Sequence, residues 1–197
     1  MSSQWGQMGR KGQKDSMEQR EKQLIRRAQD GDAWAFEQLV APHHGGLLAL
    51  VCDVLGDECE AQDACQEALI AAYRSLPRFR LQSDFFTWLY RIGVNQALKF
   101  RRSRGRRTVR EGESEVMNAA ERSPDKAVLD AELSEHIGRA EQALSPQEHM
   151  AFALCHKRGY KLVEAALLME CSEGSLKSYL FRARRKMQTA LRPYLEV

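Results

Sequence analysis

Between Asp84 and Arg107 the chain reads DFFTWLYRIGVNQALKFRRSRGRR, which sets Phe85, Phe86, Trp88 and Tyr90 beside Arg91, Lys99 and Arg102. Aromatic faces stack on bases that have left a duplex, and guanidinium and ammonium groups neutralise the backbone. Neither task needs a catalytic residue, so the mixture suits the holding of a single nucleic-acid strand, with the aromatics as plain core residues the alternative. Four aromatics within six positions point in too many directions for one buried stripe, so at least one or two are expected to face outward. Trp88 and Ile92, one helical turn apart, are expected inward with Phe85 and Leu89. Asn95 is a poor helix former in mid-segment. Its amide suits a base edge or sugar and suits a neighbouring loop equally well.

A second constellation lies near the C-terminus. Lys161 to Met169 reads as a short apolar helix, Glu170-Cys171-Ser172 as a turn, and Gly174 to Leu191 as a longer helix, which is helix-turn-helix spacing. Ser172 is placed to cap the second helix, and Leu176, Leu180, Ala183, Met187 and Leu191 mark its inward stripe. Lys177, Arg182, Arg184, Arg185 and Lys186 supply positive charge with no acid among them. Such a helix can lie in a major groove, with early residues on base edges and later arginines on phosphates. A solvated basic face on a bundle helix is the plainer alternative.

The third is acidic. Glu60, Asp63 and Glu67 share one helix face, and Gln66 adjoins them. Like charges so arranged favour a basic partner, although a solvated helix start would also carry them. A hydrolase built on Glu60, Asp63 and a metal would need ligands from elsewhere. Phosphate-loop, zinc-protease, nucleophile-elbow and dinucleotide motifs are absent from the sequence, so the chain is expected not to be an enzyme and to use no cofactor, metal or small-molecule substrate.

These segments need scaffolds, and the periodicity supplies only helices. In 197 residues with net charge +3, eleven basic residues against Asp84 alone lie from Arg74 to Arg110, whereas Asp57 to Glu67 has five acids and no base. Residues 1–20 lack apolar periodicity and are expected to form a mobile tail. Helical spacing begins at Leu24 and pauses at Gly31-Asp32, a C-cap glycine followed by an N-cap aspartate. It resumes at Trp34, closes or bends at Pro42, and continues as a separate helix from Leu47 to Leu55. Ala61 to Leu76 forms another, stopped by Pro77. The expected fold class is all-α: two small helical domains over 21–107 and 133–197, joined by an acidic linker over 108–132. Residues 111–135 carry eight acids, with Ala127, Val128, Leu129 and Leu133 opening a new periodicity near the end.

No apolar stretch in the sequence approaches the roughly 20 residues of a membrane span, and the start of the chain has no secretory-type apolar core. A cytoplasmic location is expected. Cys52, Cys59, Cys65, Cys155 and Cys171 are odd in number and irregularly spaced, which fits buried free thiols better than disulfides or zinc.

With those residues identified, the chain resembles the two-domain bacterial sigma factors of the extracytoplasmic-function (ECF) type, group 4 of the sigma-70 family. The likeness rests on AFEQLV at Ala35–Val40, EAQDACQEA at Glu60–Ala68, FFTWLYRIGVN at Phe85–Asn95, GYKLVEAA at Gly159–Ala166 and EGSLKSYLFRAR at Glu173–Arg184. It implies a sigma2-like bundle and a sigma4-like helix-turn-helix. Glu60, Asp63, Gln66 and Glu67 would then meet the β′ coiled coil of core RNA polymerase, with the β flap as a further contact of the chain. Arg80, Ser83, Phe85, Phe86, Trp88, Tyr90, Arg91, Asn95, Lys99 and Arg102 would hold the melted −10 element, with a flipped base at the loop Arg78–Asp84 and Asn95. Ser172, Ser175, Lys177, Ser178, Phe181, Arg182, Arg184 and Arg185 would read the −35 duplex. An anti-sigma factor, often membrane-anchored in such proteins, is the implied regulator.

Departures from the family pattern are Gln62 in place of a frequent acid, Leu144-Ser145-Pro146 for Leu-Pro, Leu81-Gln82 for Gly-Asp, and Tyr179 for a common Arg. The competing function is a helix-turn-helix regulator that acts without being a polymerase subunit. That reading leaves the aromatic-basic segment and the acidic face without a role.

Overall fold

The computed structural model describes residues 4–111 and 136–195, and among them every regular element is a helix. In the first domain α1 spans Gln4–Gln29, α2 Ala33–Leu55, α3 Glu58–Ser75 and α4 Phe85–Glu111, with a 3-10 turn at Leu76–Arg78. The second domain has α5 over 136–142, α6 Pro146–Phe152, a π turn Ala153–Lys157, α7 Leu162–Leu168 and α8 Glu173–Leu195. Most of the acidic linker expected over 108–132, together with the periodicity from Ala127 to Leu133, lies outside the described residues.

The α1–α2 junction is written in local chemistry. Gly31 takes a left-handed φ of 97°, and the Asp32 carboxylate accepts the Ala35 N–H at 3.1 Å. Gly56 ends α2 at φ 73°, and Asp57 caps α3 by accepting the Glu60 N–H at 2.7 Å. Both caps satisfy amides that the helix cannot.

Three sequence expectations change. The backbone of α1 is helical from Gln4, where a tail without order was expected over 1–20. Gln, Lys, Arg, Met and Glu are good helix formers, and no proline interrupts them. Pro42 does not separate two helices, because α2 runs through it. Leu39 and Val40 before the proline, and Leu47, Leu50, Val51 and Val54 after it, are all buried on the same core, so tertiary burial overrides a local break. Finally, α2 is long and apolar enough by length and composition to cross a membrane. Its apolar face packs against α1, α3 and α4, which accounts for that composition within the bundle.

Helices α2 and α4 cross closely. A Cβ on Gly46 would stand 2.3 Å from the Tyr90 hydroxyl, and one on Gly93 would stand 2.4 Å from Leu47 Cδ1. A side chain at either position would have to displace the Tyr90 hydroxyl or the Leu47 side chain. The main apolar core runs from Ile25 and Leu39 through Phe85, Leu89 and Val94 into Met150, Leu154, Ala165 and Leu176, so the two domains share it. Ala140, Leu144, Ala183 and Met187 form a smaller core that seats α8.

Candidate nucleic-acid interface

Asp84 positions the aromatic-basic helix. Its carboxylate accepts the Thr87 N–H at 2.6 Å, capping α4 at the end of the loop expected to capture a base. That loop is anchored at its start by Gln29, which donates to the carbonyls of Leu76 at 3.1 Å and Phe79 at 2.8 Å. Arg80 is exposed and Ser83 half-buried, and Leu81 between them is held left-handed at φ 55°. Beside the loop a groove of about 330 Å³ is lined by Glu18, Glu21, Lys22, Ile25, Leu81, Ser83, Asp84 and Phe85.

The aromatics divide by helical phase. Phe85 and Tyr90 are core residues, contrary to the outward role that strand stacking would require of them. Phe85 packs on Trp88 and Phe79 with centroids 5.6 and 6.4 Å away, and Tyr90 lies 4.1 Å from Phe86. The Tyr90 hydroxyl also reaches the His43 carbonyl at 3.5 Å. Burial, with Tyr160 nearby, pushes its phenol up to about 12, so it stays a neutral donor. Phe86 and Trp88 are half-buried: Phe86 also meets His43, and Trp88 meets Phe79. Ile92, expected inside, is also only half-buried, and Val94, Ala97 and Leu98 complete the buried stripe.

The cations of α4 divide in the same way. Trp88, Arg91, Asn95, Lys99 and Arg102 recur at three- and four-residue steps and form one surface stripe. Lys99 and Arg102 are exposed; Arg91 and Asn95 are half-buried and meet Glu170 of the second domain. Arg101 and Arg104 point the other way. Arg101 donates to the carbonyls of Val54 at 2.7 Å and Glu141 at 3.0 Å, and Arg104 to Leu55 at 3.2 Å. The bonds to Val54 and Leu55 satisfy orphan carbonyls at the C-terminus of α2, the negative end of its dipole, and the bond to Glu141 reaches the second domain. Burial drops the Arg101 guanidinium to about 10, which still leaves it charged at neutral pH.

On α3, Asp63, Gln66 and Glu67 are exposed, and neither acid has an ion pair among the described residues. Glu60 differs, turning back to Arg104 at 3.4 Å. The acidic face thus narrows to Asp63, Gln66 and Glu67, continued by the exposed Ile70 and Tyr73.

The α8 site is open. Ser172 Oγ accepts the Ser175 N–H at 3.1 Å and caps the helix; Leu176, Ala183 and Met187 are buried, with Leu180 and Leu191 half-buried. Lys177, Arg184 and Arg185 are exposed, and Phe181 is 68% exposed beside them. Ser178 donates to the Gly174 carbonyl at 2.9 Å and keeps its lone pairs outward.

Arg182 is fixed from two sides. Its Nε donates to Glu148 at 3.1 Å, and its guanidinium lies 5.3 Å from the Tyr179 ring centroid. Glu148 itself is buried, completes a capping box with Ser145 and also binds Lys186 at 2.7 Å. Burial pushes its carboxyl up, yet the bonds from Lys186 and Ser145 outweigh that and hold it below the ordinary range. The remaining edge of Arg182 is therefore presented in one orientation, and Tyr179, where Arg is common in the family, acts as its platform.

Sequence reasoning missed four residues here. Glu148 had a signal, since Ser145-Pro146-Gln147-Glu148 is a capping-box pattern. Arg101 and Arg104 could have been separated from Lys99 and Arg102 by phase. Glu170, in a turn, carried no signal at all.

Two family models fit this arrangement: sigma-70 region 2 matches residues 39–107 and sigma-70 region 4 matches residues 135–187. The RNA polymerase sigma-H factor of Pseudomonas aeruginosa is 36% identical over 188 residues, covering 90% of this chain and 97% of that protein. The chain belongs to the ECF sigma factors of the sigma-70 family. It is likewise 33% identical over 181 residues to the ECF RNA polymerase sigma-E factor of Escherichia coli K12, covering 87% of this chain and 94% of that one. The solved sigma factor RpoE of Bartonella quintana, in complex with the anti-sigma factor NepR, superimposes with a TM-score of 0.59 at 25% identity, over 80% of this chain and 96% of that chain. As a member of the family, this sigma factor serves transcription initiation as an alternative sigma factor. The region 2 match contains the α3 acids and the α4 stripe; the region 4 match contains all of α7 and α8 through Met187.

Proposed function

We propose that this sigma factor binds core RNA polymerase through Asp63, Gln66 and Glu67, reads the −35 duplex with α8, and holds the melted −10 strand on the α4 stripe. The observation that carries the reading is the phase of α4. Trp88, Arg91, Asn95, Lys99 and Arg102 share one stripe, whereas Arg101 and Arg104 are taken up by α2. Phe86 and Trp88 offer ring faces, Arg80 and Ser83 flank the loop, and the groove against Phe85 gives an extruded base a place to enter. Phe85 serves as the wall of that groove and Tyr90 as core, so neither is a stacking platform. Each stacked base is worth about 1–3 kcal/mol, so a few captured bases offset the opening of the first base-pair steps.

On α8, Ser172 starts the helix, Ser175, Lys177, Ser178, Phe181 and Arg182 face base edges, and Arg184 and Arg185 take phosphates. The chain works by binding alone, without catalysis, in the cytoplasm where the polymerase resides. An anti-sigma factor is its regulator, as NepR is the named partner of the Bartonella relative.

The test is reconstitution with core polymerase. Asp63→Lys with Glu67→Lys should lower polymerase affinity by at least about tenfold, since two acids become like charges against a basic partner. Retained affinity would mean that the face is merely solvated. Asn95→Ala should impair opening on duplex promoters while sparing core binding, and undiminished opening would remove the base-capture role.

A further inference from the structure

Glu170 sits in the turn of the helix-turn-helix, yet its side chain belongs to the other domain's surface. One carboxylate oxygen pairs with Arg91 Nη2, and the other accepts from Asn95 Nδ2 at 3.2 Å. A carboxylate divided between a guanidinium and an amide offers the same two acceptors that a phosphate or a base edge would offer those side chains.

The turn does not require this side chain. Glu170 is left-handed at φ 51°, its N–H bonds to the Leu167 carbonyl at 3.3 Å, and the Cys171 N–H bonds to the Ala166 carbonyl at 3.0 Å. That is the helix-ending motif in which glycine is preferred at this position, because a Cβ is strained there. A residue carrying four side-chain heavy atoms beyond Cβ is held in an unfavourable conformation, and the contacts that repay it lie on α4.

The contact is reversible in character. Side chains of Arg91 and Glu170 are 35% and 45% exposed, so water and salt already screen the pair, and a strand bearing several phosphates outcompetes it. Around it the domains are joined by the Arg158–Asp53 pair, by Arg101 on the Glu141 carbonyl and by the shared apolar core. Ser172, the cap of the duplex-reading helix, lies two residues beyond Glu170, so release of this turn is tied to the seating of α8.

We infer that Glu170 is an internal acidic ligand for the strand-binding stripe of α4: it closes the second domain over Arg91 and Asn95 and must leave before a single strand can enter. The inference rests on the proposed strand-holding role of α4, and the experiment separates the two. Full-length protein carrying Glu170→Gly, a residue that suits the turn, is compared with the wild type and with Glu170→Gln. Small-angle X-ray scattering gives the radius of gyration, and fluorescence anisotropy gives the affinity for a labelled random-sequence single-stranded DNA of twelve nucleotides. Removing the carboxylate should enlarge the radius and tighten DNA binding by about fivefold, because a larger fraction of molecules is open; Glu170→Gln should lie between. Thermal melting should show the Gly variant folded. An unchanged radius with unchanged affinity overturns the closure. A larger radius without any gain in DNA affinity overturns the competition and, with it, the strand-holding reading of α4, leaving Glu170 as a clasp between domains.

Discussion

Helices α4 and α8 are both rich in aromatics and cations, and they use them differently. On α8 the cations Lys177, Arg184 and Arg185 point to solvent, while Lys186 and Arg182 are both held on Glu148, and Arg182 still presents its outer edge. On α4 the same kind of residue is divided three ways: Arg101 and Arg104 hold the end of α2, Arg91 meets Glu170, and Lys99 and Arg102 remain exposed. Charge content therefore says little about binding. What decides is whether a cation's helical phase aims it at buried carbonyls or at water. On the proposed reading, the duplex-reading surface of α8 stands open, whereas the α4 stripe carries the Glu170 contact.

The sharpest way to break that contrast is a pair of neighbours on α4. Arg101→Ala leaves the Val54 and Glu141 carbonyls without their charged donor in a largely buried site, and should cost about 3 kcal/mol of stability in urea denaturation. Arg102→Ala should cost less than about 0.5 kcal/mol while weakening single-strand binding. Equal stability losses for the two would abolish the division by phase.

A second pair lies on α8. Replacing Arg185 with Ala should weaken duplex binding for all sequences alike and reduce the salt-dependence slope by about one phosphate. Arg182→Ala should cost about 1–3 kcal/mol and relax preference at a single base pair, because its edge is held in place by Glu148 and Tyr179. Competition titrations over a base-substituted duplex series distinguish them, and identical profiles would show Arg182 to be one more phosphate contact.

How far the sequence revealed this division depends on the range of the interaction. Caps were legible, since Gly31-Asp32 and Ser172 act within three residues of themselves. So was the inward stripe of α8, which obeys a single period. Pro42 misled because its local penalty was weighed without the buried residues on both sides of it. Crowding says that one or two aromatics face outward but not which, and burial of Tyr90 follows from the close approach of α2 at Gly46, which encloses that flank of α4. Glu170 was illegible because its partners are 75 and 79 residues away in sequence. The family resemblance proposed the surfaces, and packing separated the exposed cations of α4 from those that hold the end of α2.

The two domains should also differ in their response to acid. His149 of α6 is buried, with Nε2 3.4 Å from Glu141, and burial drives its pKa below 6.5 despite the opposing pull of that carboxylate. An unfolded chain takes up this proton near pH 6.5 and the folded chain only at lower pH, so stability falls as pH drops through that interval. The limiting slope is about 1.4 kcal/mol per pH unit for one proton. Glu141 adds a later loss: burial raises its carboxyl, but bonds from His149 and Lys157 leave it net lowered, so its contribution disappears below about pH 4.5. His149→Leu should flatten the first stage and, by removing one of the bonds that lower Glu141, weaken the second as well. A melting-temperature profile between pH 7 and 4 that is unchanged by the substitution would assign the acid response elsewhere.

The smallest expected effect contrasts two left-handed residues that are not glycine, Leu81 in the loop before α4 and Glu170 in the turn before α8. Both carry backbone strain of about 1–2 kcal/mol. Glu170 has partners across the domain boundary that repay it, whereas Leu81 is 46% exposed and stands where the family commonly has glycine. Leu81→Gly should therefore stabilise the fold, by only about 0.5–1 kcal/mol, because glycine also gains entropy in the unfolded chain. Chemical denaturation of the full chain reads the sign. A loss of stability would mean that the leucine side chain, on the groove it shares with Ile25 and Phe85, contributes more by packing than its backbone costs. In that case both left-handed residues would be retained for what their side chains touch, and the loop would be shaped by its groove as the turn is shaped by α4.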